Sequence, residues 1–190
     1  TGTEASDYAF TYEPGTLTIT NATQIGVTLT RTTATDNGAA HYATLTGTQS
    51  GDTIEYRTST NGGTTWSTWS STEPSVTHVS DGPLQVEVKV SRANYNDATD
   101  TATLTITKQA IELTADSKSW TYDGDEHTQH SYKITDGSFV NDEGLASATF
   151  AAASAITNVG SVANTITGVT PKTGTEASDY AFTYEPGTLT

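Results

Sequence analysis

The side chains able to do chemistry in this chain are few, and most of them fall in turns. Trp66, Trp69 and Trp120 are the largest. A protein surface holds a sugar with exposed aromatic faces flanked by amides and carboxylates, so Trp66 and Trp69 are the candidate ligand contacts. Their three-residue spacing on a regular strand sends them to opposite faces, one into a core and one outward; packing within a core or hairpin is the competing reading. His127 and His130 suggest a metal pair, but the same spacing separates them. No Cys and no third His lies near them, so no metal ligand is assigned. Asp123, Asp125 and Glu126 crowd one turn without the D-x-[DN]-x-[DN]-G spacing of a calcium loop, and read as a solvated acidic turn. No Ser, His and Asp set has the context of a triad, and there is no phosphate loop. No catalytic residue is assigned, no cofactor is expected, and the chain is not read as an enzyme. One covalent reaction remains open, a Lys–Asn cross-link. Lys108 shares the parity of Leu104 and Ile106 and is the candidate to point inward, whereas Lys89 lies on the outward face of its strand.

These residues must be positioned by strands. Thr dominates the sequence; it is β-branched, disfavours helix and suits a half-buried strand. A disordered, glycosylated stalk is the alternative for such a composition, but it would lack the alternating Val, Ile and Leu found here. Leu17 and Ile19, then Ile25, Val27 and Leu29, alternate with polar residues, as do Leu84, Val86, Val88 and Val90, and later Leu104 and Ile106. Turn signals separate these runs at Asn37-Gly38, Gly47 to Gly51, Asp81-Gly82-Pro83 and Asp123-Gly124. Ser59-x-Asn61-x-Gly63-x-Thr65-Trp66 fits the Asp-box hairpin with Asn in place of Asp: the amide caps turn N–H groups, Gly takes positive φ and Trp packs beneath. That hairpin recurs in sialidases away from their active sites. The strands of 155–171 are expected to break at Gly160 and Gly168, and Ile156, Val159, Ile166 and Tyr180 are expected to be mostly buried in the core of that half. Asn141 to Ser147 is the one place with room for a helical turn.

Residues 1–18 and 173–190 are identical, TGTEASDYAFTYEPGTLT, displaced by 172 positions. Such a match marks the seam of a tandem array. The two halves of the 172-residue unit also share landmarks. Each opens after Thr-Leu-Thr, has a Gly-x-x-His turn (Gly38 to His41, Gly124 to His127), a Thr-x-Val before a Gly, and a Tyr nine residues before a Leu (Tyr95 and Leu104, Tyr180 and Leu189). The reading is two diverged copies of one fold, each near the lower end of domain size.

The segments YDGDEH, SFVNDEGLASATF, ITNVGSVANTITGVTP and SDYAFTYEPGTLT resemble the YDG/MBG-type repeats of large bacterial surface adhesins over most of 108–190. Residues 21–107, with GTQSGDTIEYRTSTNGGTTWS and VSRANYNDA, resemble the Ig-like repeats found beside them, with NGAAH in place of the usual aromatic-Asp-Gly opening. The resemblance implies an all-β repeat of a cell-surface protein.

Charge narrows the partners. With 22 Asp and Glu against 8 Lys and Arg, net −14, the surface repels nucleic acid and anionic membrane. Cys and Met are absent, which excludes disulfides and suits an exposed life. The expectation is therefore an all-β chain of two tandem Ig-like β-sandwich modules end to end, with a β-grasp-like sheet as the alternative for the second. Residues 1–20 would be the terminal strand segment of a preceding repeat, 21–107 the first module and 108–190 the second. The expected function is a stiff extracellular stalk on a bacterial cell surface, monomeric, with neighbouring repeats of the same chain as its partners. The alternative is an adhesive module for host glycan or protein.

Overall fold

The computed structural model describes residues 1–190 except Thr1, Thr3, Ala5, Asp7, Gln24 and Ile25; the strand position expected of Ile25 therefore lies outside the described residues. The chain is all-β. In 27–107 the strands are β1 (Thr28–Thr30), β2 (Thr32–Thr35), β3 (His41–Tyr42), β4 (Thr44–Thr46), β5 (Thr53–Ser59), β6 (Ser75–Val76), β7 (Leu84–Ser91) and β8 (Ala98–Thr107). In 109–190 they are β9 (Gln109–Ala115), β10 (His127–Thr128), β11 (Tyr132–Asp136), β12 (Leu145–Phe150), β13 (Ala155–Ile156), β14 (Val162–Asn164), β15 (Ile166–Pro171), β16 (Tyr180–Glu185) and β17 (Gly187–Leu189). The largest sheet runs β2-β8-β7-β5, with β2 and β8 parallel. In the second half β9 lies between β11 and the parallel β16, β12 pairs with β15, and β14 with β17.

Two hydrophobic cores form, and they share no residue. The first gathers Leu29, Tyr56, Val76, Val86, Val88, Val90, Leu104 and Ile106; the second gathers Ile111, Leu113, Ala115, Ile166 and Tyr180, ringed by Phe139, Phe150 and Phe182. The alternation along β7 is the cause in the first case. Val86, Val88 and Val90 are buried while Gln85, Glu87 and Lys89 are half-buried on the other face, and β5 and β8 flank the strand on both sides.

The halves repeat one pairing scheme. Ala22 bridges Tyr95 in parallel, and Thr32 to Thr35 then pair in parallel with Leu104 to Thr107. In the second half Gln109 pairs in parallel with Tyr180, and Lys118 bridges Leu189 in parallel. His41 pairs with Val76 as His127 pairs with Ile156. Even the turns match. The Asn37 carboxamide oxygen accepts from the Ala39 N–H and contacts the His41 ring, and the Asp123 carboxylate does the same for Asp125 and His127. Gly38 and Gly124 hold φ of 72° and 89° there, a left-handed turn where a side chain would be strained.

Several expectations are corrected. Lys108 is exposed between β8 and β9, so its parity with Leu104 does not carry across the junction. Val159 is exposed rather than core, and Ile156 is only half-buried. Asn141 to Ser147 forms a turn closed by Glu143 N–H to the Val140 carbonyl and then enters β12, with no helical turn. Gly168 lies inside β15 and does not end it, but the pairing with β12 shifts register there, from Thr149 opposite Gly168 to Phe150 opposite Ile166. Leu17 and Ile19 are fully exposed, so the 1–18 copy gains no partner at its end; contact begins at Asn21, whose side-chain amide donates to the Tyr95 carbonyl, and at Ala22. The copy at 173–190 supplies β16 and β17, with Tyr180 and Leu189 buried, whereas Tyr8, Phe10 and Tyr12 are exposed.

Two outcomes follow for stability. Val88→Ala removes two methyl groups from the centre of the largest sheet and is expected to cost on the order of 1–3 kcal/mol, read as a lower melting temperature. Deleting 1–13 is expected to leave thermal unfolding nearly unchanged, whereas deleting 176–190 removes β16 and β17 and is expected to unfold the second half. Equal destabilisation by the two deletions would mean that 1–13 contributes a strand.

Candidate functional sites

Trp66 and Trp69 meet on one cation instead of facing opposite ways. The chain after Gly63 is irregular rather than a strand, so the period-2 argument does not apply. The Arg57 guanidinium lies 5.0 Å from the Trp66 ring and 4.6 Å from Trp69, and the Lys89 ammonium lies 4.7 Å from Trp69. Arg57 also pairs with Glu87, and Lys89 with Glu55 at 2.6 Å. Both indoles are half-buried. This is a cation–π ladder that packs the outer face of β5 and β7, and each candidate ring already has a cationic partner from its own chain. The turn beneath it is built as its sequence implies. The Asn61 carboxamide oxygen accepts from the Thr65 N–H at 2.9 Å, and the Ser59 hydroxyl accepts from the Gly63 N–H at 2.9 Å. A Cβ on Gly63 would stand 3.4 Å from the Trp66 ring.

The histidine pair is not brought together. His127 stacks on Trp120 with ring centroids 5.0 Å apart, and His130 stacks on Phe150 at 4.9 Å. Trp120 and His127, with Tyr122, Ile156, Val159 and Thr190, line a mainly apolar cavity of about 210 Å³. Tyr122 and Val159 are largely exposed at its rim. The Asp123 carboxyl sits below its ordinary value because it accepts from the Asp125 N–H and contacts the His127 ring. Lys108, the candidate for a covalent cross-link, is exposed, and Lys89 lies on the outward face of β7 as expected, paired with Glu55.

A third cluster brings together residues that sequence reasoning left apart. Asp179, at the end of a 3-10 turn before β16, is buried against the first half. One of its oxygens accepts from the Val79 N–H at 2.7 Å, and the other lies 2.6 Å from His78 Nδ1, 101 positions away in sequence. The His78 turn is itself fixed, because the Asp81 carboxylate accepts from the Thr77 and His78 N–H groups at 2.8 Å each. Asp36, directly after β2, completes the group. Its N–H donates to the Thr107 carbonyl at 2.9 Å, at the last residue before the junction. One atom each from Asp36, His78 and Asp179 lies within 4.8 Å of the other two. Burial holds the Asp36 carboxyl above its ordinary value. The hydrogen bond to Asp179 raises His78 in the same way. Only the neighbouring turns, Asn37-Gly38 beside Asp36 and Asp81-Gly82 beside His78, carried a sequence signal, and nothing in the spacing pointed to Asp179.

A comparison with protein-family models finds no match, and a search of curated proteins finds no relative of this chain. Among the described residues no helix is long and apolar enough to cross a membrane.

The Trp120 cavity gives a pH outcome. Asp123 has a depressed pKa, so its contribution is present above the ordinary value of 3.8 and is lost as pH falls through the lower folded-state value. Below pH ~3.8 the Trp120 indole N–H signal is expected to shift as the His127 stack loosens. Asp123→Asn should remove that titration.

Proposed function

We propose that the chain is a segment of the stalk of a bacterial surface adhesin, an extracellular spacer of two Ig-like modules. The observation that carries this reading is the junction. β8 ends at Thr107 and β9 begins at Gln109, leaving Lys108 alone between two strands that belong to different cores. A one-residue connection, tied further by Asp179 on His78 and Val79, leaves little freedom between the halves.

The far end of the second half supports the same reading. Trp120, Tyr122 and the stretch Ile156 to Gly160 occupy the positions that Ala34, Asp36 and the stretch Val76 to Ser80 hold in the first half, by the pairings above. In the first half that end is covered by Asn141 and Asp179 of the second. In the second half the same end is the apolar cavity, a seat for the first module of a following repeat. Leu17 and Ile19 fit the complementary role. They match the buried Leu104 and Ile106 in the repeated Thr-Leu-Thr-Ile-Thr, so their exposure is that of core residues whose module is the preceding repeat.

The second reading, a glycan-binding module, draws on the same cavity, since Trp120 and Tyr122 offer aromatic surface beside Asn158. Its volume lies below the ~300 Å³ at which ligand pockets usually begin, which favours the spacer. Two measurements separate the readings. Residual dipolar couplings should fit one alignment tensor for both halves; two independent tensors would end the stiff-spacer reading. A glycan and mucin array should return no signal. Binding that Trp120→Ala abolishes would replace the spacer with the adhesive module.

A further inference from the structure

The junction holds a set of groups that a spacer does not require. We propose that Asp36, His78 and Asp179 bind one divalent transition-metal ion of the zinc class, and that the ion clamps the two halves together. Three potential ligand atoms, one from each side chain, already lie within 4.8 Å of one another. Asp36 and Asp179 are both at least 98% buried. Two carboxylates in that setting call for a compensating charge, because an isolated buried anion is expensive. Among the described residues the ion pairs of Lys and Arg lie elsewhere, with Glu87, Glu55, Asp52 and Asp116, and the one cationic partner at hand, His78, is already taken by Asp179, which leaves Asp36 without one.

The independent sign of a ligand is Asp36 itself. Its Oδ1 accepts a long bond from the Gly38 N–H at 3.3 Å, while its Oδ2 is buried with no hydrogen-bond partner. Buried polar atoms in folded proteins are nearly always satisfied, and an exception marks a group waiting for an unseen partner. A neutral hydrogen-bond donor would satisfy that oxygen but would not balance the charge of an ionised Asp36, since His78 is engaged with Asp179.

The donor set chooses the metal. Two carboxylates and an imidazole suit zinc and its neighbours, whereas calcium and magnesium take oxygen alone. Three protein ligands leave a fourth position for water, a common zinc arrangement. Zinc ligand distances of about 2.0–2.2 Å place tetrahedral ligand atoms ~3.4 Å apart. The His78–Asp179 contact at 2.6 Å would open by under ~1 Å, and the widest separation would close by a little more. The second half does not repeat the site. Tyr122 and Asn158 stand where the pairing scheme puts Asp36 and His78, so the stoichiometry is one ion per chain.

The proposal does not depend on the spacer reading, because binding is measured directly. The full chain, stripped with a chelator and dialysed, is titrated with zinc chloride by calorimetry, alongside Asp36→Asn and His78→Gln. The expected result is one zinc per chain, a higher melting temperature on loading, and at least the ~10–100-fold loss of affinity that even outer partners of a ligand can cause in each variant. Asp36→Asn should also unfold no earlier than the parent when metal-free, since it removes a buried charge. Nitrogen-resolved imidazole spectra of the unsubstituted chain read the site without mutation: zinc should shift a His78 ring nitrogen and leave those of His41, His127 and His130 in place. No zinc uptake, uptake unaltered by both variants, an unshifted His78, or calcium bound in preference to zinc would each overturn the proposal.

Discussion

Each half of the molecule is closed by a parallel pairing of a strand near its start with one near its end, β2 with β8 and β9 with β16, and the rest of the architecture depends on it. Ala22 with Tyr95 and Thr32 with Leu104 close the first half; Gln109 with Tyr180 and Lys118 with Leu189 close the second. Parallel neighbours point the same way. A chain whose early and late strands are parallel therefore enters at one end of the half and leaves at the other, unlike an antiparallel hairpin, which returns to its start. The last strand is then already directed out of the core when it reaches Thr107, and a single residue suffices to begin the next half. Had these strands been antiparallel, entry and exit would share one end and a longer connection would be needed to place a second core beyond the first.

That geometry brings polar loops of one half onto the end of the other, and the chemistry of the contact is unusual for a surface this acidic. Gly38 is one point of close approach, where a side chain would not fit: a Cβ there would meet the Asn141 side chain at 2.5 Å. Around it lie two buried carboxylates and one histidine rather than an apolar seal. Asp179 is well satisfied, by a backbone N–H and a ring nitrogen, and behaves as a positioned acceptor. Asp36 is not, and its carboxyl is pushed towards the neutral form by burial. The contact is thus specific in register and costly in desolvation at once. The corresponding end of the second half carries Trp120 and Tyr122, so the two ends in a 172-residue period differ in kind, one charged and one aromatic.

How much of this was legible in the sequence follows from which interactions are local. The alternation of Val86, Val88 and Val90 and the Asn61 turn were readable because a strand face and a tight turn are decided within a few residues. The Gly-x-x-His landmarks were readable as a repeat, though their shared hydrogen bonds to His41 and His127 were not. Parity failed wherever the backbone left the strand. Trp66 and Trp69 converge because the chain after Gly63 is irregular, and Lys108 turns outward because it is the break between two strands. Val159 failed for a different reason: its apolar side chain lies at the end of the second half, outside the core that its flanking strands build. The Asp36, His78 and Asp179 cluster was invisible because it is assembled across the junction by tertiary contact alone.

The duplicated segment isolates the part that context plays. One 18-residue sequence occurs twice in the chain, so intrinsic propensity is the same in both places. At 180–189 it forms β16 and β17, and Tyr180 and Leu189 are buried. Near the start of the chain Tyr8, Phe10, Tyr12 and Leu17 are exposed and no strand forms between residues 8 and 20. Nothing local separates the two. What the later copy has is β9 to pair with in parallel, β14 to receive Gly187 to Leu189, and a core formed by Ile111, Leu113 and Ile166. β-propensity measures how well a side chain fits a half-buried pleated surface, and without that surface the same Thr, Tyr and Leu residues have nothing to fit. The strand is a property of the module rather than of its sequence. It follows that in a tandem array each such segment is ordered by the module it closes.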